Sequence, residues 1–204
     1  MLRRGPASGS IALVLVAVFV LALFTVHLIE PEMNFGPVSL YSLGPFGFVM
    51  RLGFLVLGIA FFALAWGLEN LTSRNTPFYL DEVLLITAGI GLILVSLFNT
   101  DPVGTAPTVH GFIHSWSALA WSIAASVGIL LFAMAFRQDG RPLAVGKRSR
   151  NLGIAAVAVF LLGFFGQGTY FAPVQPRLFF SIVVVWVLLM GTQLRLDRLA
   201  IAPD

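Results

Sequence analysis

Two histidines four residues apart, His110 and His114, follow an aspartate, Asp101, within the stretch FNTDPVGTAPTVHGFIHSW (98–116). On a helix, a spacing of four stacks both imidazoles on one face, one turn apart. Two imidazoles and a carboxylate make three ligands for zinc or another divalent metal, with water in the fourth position. A metal-bound water is a nucleophile for ester or amide hydrolysis. Without a metal, the same groups transfer protons or hydrogen-bond a ligand or a neighbouring helix end. The glutamate of a His-Glu-x-x-His helix is absent, because Gly111, Phe112 and Ile113 lie between the two histidines. His27 is the third histidine of the chain and an alternative third ligand. Paired with one of the others it could also clamp a haem, which His110 and His114, sharing a face, cannot do together. Ser39, Ser42, Ser115 and Ser117 supply hydroxyls, but no Gly-x-Ser-x-Gly elbow surrounds any of them. Arg51 and Arg177 are the remaining candidates, as fixed positive charges for an anionic headgroup or carboxylate or as pins between loops and helix ends.

The elements that must position these residues are greasy. Of 204 residues, 58% are hydrophobic and 10% charged, where a soluble domain carries about 25% charged residues. Mean hydropathy is +0.96. The chain therefore belongs in a membrane. Its net charge of +3 points to anionic lipid headgroups, and no interleaving of basic and aromatic residues points to nucleic acid. Cysteine is absent, which excludes disulfides, thiolate metal sites and a cysteine nucleophile.

A span needs about 20 predominantly apolar residues. Six stretches qualify, roughly Ile11–Ile29, Phe46–Leu68, Leu80–Phe98, Gly111–Phe136, Leu152–Phe171 and Leu178–Leu194, so the expected fold is an all-α bundle of six transmembrane helices in one domain, 1–204. The first apolar run is too long for a signal-peptide core and no small-x-small cleavage site follows it, so it reads as an uncleaved helix. With a cytoplasmic N-terminus, Arg3, Arg4, Arg74, Arg137, Arg141, Lys147, Arg148, Arg150, Arg195 and Arg198 fall inside, and only Arg51 and Arg177 fall outside. That asymmetry predicts both termini in the cytoplasm of a multi-pass cell-membrane protein. The segment Arg137–Arg150 reads as the main inner loop. Asp101, the three histidines, Arg51, Arg177, Glu30, Glu32 and Tyr170 then gather at the outer end.

Three segments resemble a known family: GPVSLYSLGPFGFVMRLGFLVLGIAF (36–61), GIGLILVSLFNTD (89–101) and HGFIHSWSALAW (110–121). They are similar to the bacterial and archaeal domain-of-unknown-function 998 family, and QPRLFF (175–180) looks like its polar start to the last helix. The resemblance implies six spans and an outer polar cluster of Ser39, Asp101, His110, His114 and Arg177, with His27 outside the pattern. It implies no activity.

Two readings follow. In one, the outer cluster caps the bundle and binds a small ligand, a lipid headgroup or a membrane-protein partner, the chain serving as an accessory subunit in the last case. In the other, Asp101, His110 and His114 hold a metal in a hydrolase for lipids or amides at the outer leaflet, with Ser39 assisting and Arg177 holding an anionic group. A transporter ranks below both, because the spans carry almost no charge at mid-depth.

Overall fold

The computed structural model describes residues 4–68, 80–138, 143–166 and 174–196. It contains six helices: α1 (Arg4–Ile29), α2 (Gly47–Leu68), α3 (Leu80–Leu97), α4 (Val109–Gln138), α5 (Leu143–Phe165) and α6 (Val174–Arg195). Two short 3-10 turns, Pro31–Phe35 and Val38–Leu43, join α1 to α2. All six helices are long and apolar enough to cross a membrane, and no strand occurs among the described residues.

Each helix packs against its neighbour in sequence, and α6 closes on α1. The result is an up-and-down ring. The connections 30–46 and 98–108 lie at one end, with the starts of α2, α4 and α6; we call this the histidine end. The opposite, basic end carries Lys147, Arg148, Arg150 and Arg195. Aromatic rings fill the centre. Phe180 lies 5.3, 5.8 and 4.9 Å from the rings of Phe19, Phe54 and Trp121, and Trp186 packs between Phe61 and Phe132. The indole N–H of Trp186 donates to Ser149 Oγ at 2.8 Å, so the one polar atom of that buried ring is satisfied. Outward rows such as Phe48, Leu52 and Ile59 on α2 are exposed, as a lipid-facing stripe requires.

The helix boundaries depart furthest from the sequence reading at the starts of α1 and α5. α1 begins at Arg4, seven residues before the first apolar run. α5 begins at Leu143 instead of Leu152, so most of the second half of the stretch read as a loop, Arg137–Arg150, is helix. Val145, Gly146 and Ser149 are buried, whereas Lys147, Arg148 and Arg150 are exposed. That is a helical alternation, hidden in the sequence because the exposed face carries three charges. Arg3, Arg74, Arg141, Tyr170, Arg198 and the end of the fifth predicted span lie outside the described residues.

Candidate functional site

The polar residues of the α3–α4 connection knit the two helices together. Thr108 is the N-cap of α4: its hydroxyl accepts from the Gly111 N–H at 3.1 Å, and its carbonyl accepts the first helical bond from Phe112. Asp101 takes both donors of that cap. Oδ2 accepts from the Thr108 N–H at 2.9 Å and Oδ1 from the Thr108 hydroxyl at 2.6 Å. A side chain at position 111 would occupy the carboxylate's place, since a Cβ there would lie 1.9 Å from Asp101 Oδ2. This explains why glycine follows His110. The Thr108 hydroxyl, then its N–H, hold the Asp101 carboxyl below the ordinary aspartate value.

The sign of the pH dependence follows. A depressed carboxyl contributes stability above its unfolded value and loses it as pH falls through its folded value. The cap is therefore expected to stand intact from neutral pH down to about pH 4, the unfolded aspartate value, and to fail below it. Asp101→Asn should lower the melting temperature at pH 7 and flatten this acid limb, as read from thermal unfolding in detergent between neutral and acidic pH. An unchanged acid limb would remove Asp101 from the cap.

His114 is 3% exposed, and its Nδ1 lies 2.7 Å from the Phe98 carbonyl. A carbonyl only accepts, so Nδ1 carries the proton. The ring satisfies a backbone group just beyond the last turn of α3, where carbonyls lack helical partners. His110 is exposed, its ring 5.4 Å from that of Phe98. The expected convergence of Asp101, His110 and His114 on one point is thus not what the structure shows. Asp101 faces Thr108, His114 faces the end of α3, and His110 leans outward. Among the described residues, no three His, Asp or Glu side chains are gathered to hold a metal ion.

A second network involves the residues between α1 and α2. Arg177, in the first turn of α6, donates through Nη1 to the Gly36 carbonyl at 2.8 Å and through Nη2 to the Tyr41 hydroxyl at 3.2 Å. Its guanidinium also lies 5.8 Å from the Tyr41 ring centroid. The Tyr41 hydroxyl donates to Asn34 Oδ1 and meets His27 Nδ1 at 2.9 Å. With its only proton given to Asn34, the phenol accepts from His27, so Nδ1 of His27 is protonated too. Arg177 and His27 therefore fasten the loop to the bundle. Glu30, 1% exposed, accepts from the Phe46 N–H at 2.7 Å at the start of α2. Arg51, half-buried one turn into α2, has no hydrogen bond or ion pair with any described residue.

Beside these networks, a cavity of about 400 Å³ lies at the histidine end, walled mainly by α4, α5, α6 and the loops over them, with Phe54 of α2 and Val95 of α3 reaching in. Phe54, Trp121, Phe160, Phe164, Phe179 and Phe180 make its apolar wall. Ser39, Thr100, His114, Ser115, Ser122 and Gln175 make its polar part, and no charged side chain lines it among the described residues. The side chains of Ser39, Thr100, Ser115 and Gln175 make no hydrogen bond with a described residue. Arg51, Arg177, Asp101 and His110 are not among the lining residues. Sequence reading missed Thr108, Tyr41 and Thr100. Thr108 had a signal, a threonine immediately before an apolar helix.

An all-helical ring of six apolar spans defines a multi-pass integral membrane protein. The chain belongs to the family described as protein of unknown function (DUF998), which matches residues 10–193. Comparison with curated proteins and with solved structures gave no match.

Proposed function

We propose that the protein binds a neutral amphipathic molecule in the cavity at the histidine end, and that this end faces away from the cytoplasm of a cell membrane. The observation that carries the reading is the composition of the cavity. Its volume falls in the range of about 300–1,000 Å³ typical of small-molecule sites. Six aromatic rings offer an apolar chain or ring system a wall. Four uncharged side chains without partners among the described residues offer hydroxyl, ester or amide groups both donors and acceptors. A charged headgroup finds no countercharge in the lining, so a neutral head is favoured. α5, the least buried of the six spans, forms one wall, which supports a cavity open towards the acyl-chain region of the bilayer. Sidedness rests on the excess of Arg and Lys at the basic end.

The test is mass spectrometry of organic extracts from protein purified in mild detergent. Wild type is expected to carry about one such molecule per chain. Ala118 lines the cavity, and Ala118→Phe, which fills it, is expected to carry roughly tenfold less, equivalent to about 1.4 kcal/mol of lost affinity. Equal recovery from both proteins, or extracts holding only bulk lipid in bulk proportions, would remove the cavity as the binding site.

A further inference from the structure

Arg51 lies outside the cavity and its chemistry is separate. An arginine within a span costs about 2.5–3.5 kcal/mol on insertion scales, so an Arg51 without a partner among the described residues needs an explanation. The acids at this end do not supply one. Asp101 is held by Thr108; Glu30 gives Oε1 to the start of α2 and keeps Oε2 buried, with no partner among the described residues; Glu32 is exposed on the loop; and none of the three pairs with Arg51.

The helix register locates the guanidinium. A Cβ at Gly58 would lie 2.8 Å from the Gly89 carbonyl and within 3.3 Å of Ile93 and Leu92 side chains, and one at Gly89 would lie 2.9 Å from the Gly58 carbonyl. α2 and α3 therefore touch backbone to backbone there. Arg51 precedes Gly58 by seven residues, two turns, and so stands on nearly the same stripe of α2. The helices run antiparallel, so seven residues beyond Gly89–Ile93 in α3 is the level of Ser96–Thr100. Arg51 thus sits over the α2–α3 seam at the histidine end, beside Asn99 and Thr100. Its neighbours Phe48, Leu52 and Leu97 are each more than half exposed, which makes this seam lipid-facing. Side chains on a helix tilt towards its N-terminus. For α2 that direction is outward, so the guanidinium rises from the hydrocarbon edge to the depth of the headgroups.

We propose that Arg51 and the α2–α3 seam form a binding site for the phosphate ester of a membrane lipid. A planar guanidinium with no acceptor among the described residues presents a fork that matches two phosphate oxygens. Phe48, Leu52 and Leu97 flank it where the lipid's chains descend. The phosphate supplies the countercharge that no described residue gives.

Native mass spectrometry of the full-length protein tests this, with phosphatidylglycerol and a phosphate-free diacylglycerol as competing probes and inorganic phosphate as a soluble competitor. Wild type is expected to retain phosphatidylglycerol about tenfold in preference to diacylglycerol, the equivalent of one charge-assisted contact. Arg51→Gln should abolish the preference, and Arg51→Lys, a point charge without the fork, should keep part of it. Arg51→Gln takes a charge out of the membrane, so its melting temperature should not fall, and a normal melt shows that lost binding is not misfolding. The same preference in Arg51→Gln as in wild type overturns the site. Displacement of the lipid by millimolar inorganic phosphate overturns the lipid assignment in favour of a soluble anion.

Discussion

Tyr41→Phe is expected to destabilise the protein by about 2–4 kcal/mol, since a hydrogen bond to a charged group is worth about 1.5–3 and a neutral one about 1. The substitution deletes one oxygen, and that oxygen has three partners: Arg177, His27 and Asn34. The residue is fully buried, so water does not simply replace the phenol. The phenylalanine ring keeps its place beside the guanidinium, and the cation–π contact with it, so the variant isolates the hydroxyl. Thermal unfolding in detergent gives the size of the effect. A double-mutant cycle with Arg177→Met gives its origin, because partners in one network do not add. If Tyr41→Phe melts with wild type, the loop between α1 and α2 is held by packing alone and the hub has no energetic standing. If the two substitutions cost their full sum together, the Arg177–Tyr41 contact is not where the energy lies.

This network shows where sequence reading stops. Span length and apolar content are local properties, so six helices were legible, with the largest error where charge masked amphipathicity, at the start of α5. Arg177 and Gly36 are 141 residues apart in sequence, and no local pattern pairs them. The spacing of His110 and His114 was read correctly as one helix face, yet the residues live in different surroundings. His110 lies in the first turn of α4, above the level at which α3 ends, and emerges into the open. His114, one turn deeper, meets the end of α3. A helical stripe fixes direction, not depth. The same limit applies to Asp101, whose partner depends on how a Pro- and Gly-containing loop closes. Of the residues in the segments that carry the family resemblance, Phe98, Asp101 and His114 prove to be parts of one helix–helix turn, while His110 stands exposed beside Phe98.

The other large effect is expected at the seam that closes the ring. In α1, Gly5 and Gly9 are one turn apart, and a methyl group added to each meets opposite circumstances. At Gly5 the nearest atoms belong to Leu194 at 3.8 Å, an ordinary contact. At Gly9 a Cβ would lie 2.5 Å from both the Arg195 amide nitrogen and the Gly191 carbonyl. Those are backbone atoms of a helix and do not move aside as a side chain tip does, so α1 and α6 must separate. Gly5→Ala is expected to be neutral or to gain up to about 1 kcal/mol from helix propensity. Gly9→Ala forgoes that gain to overpacking and should cost about 3 kcal/mol, at the upper end of such effects. Paired thermal melts decide it, and equal shifts for the two variants would mean that the helices do not approach this closely. The consequence extends past stability. α6 carries Gln175, Phe179 and Phe180 of the cavity and Arg177 of the loop clamp, and its seam with α1 helps to set where all four stand. Loosening Gly9, at the basic end, should therefore lower occupancy of a cavity at the opposite end, whereas Gly5→Ala should leave it alone.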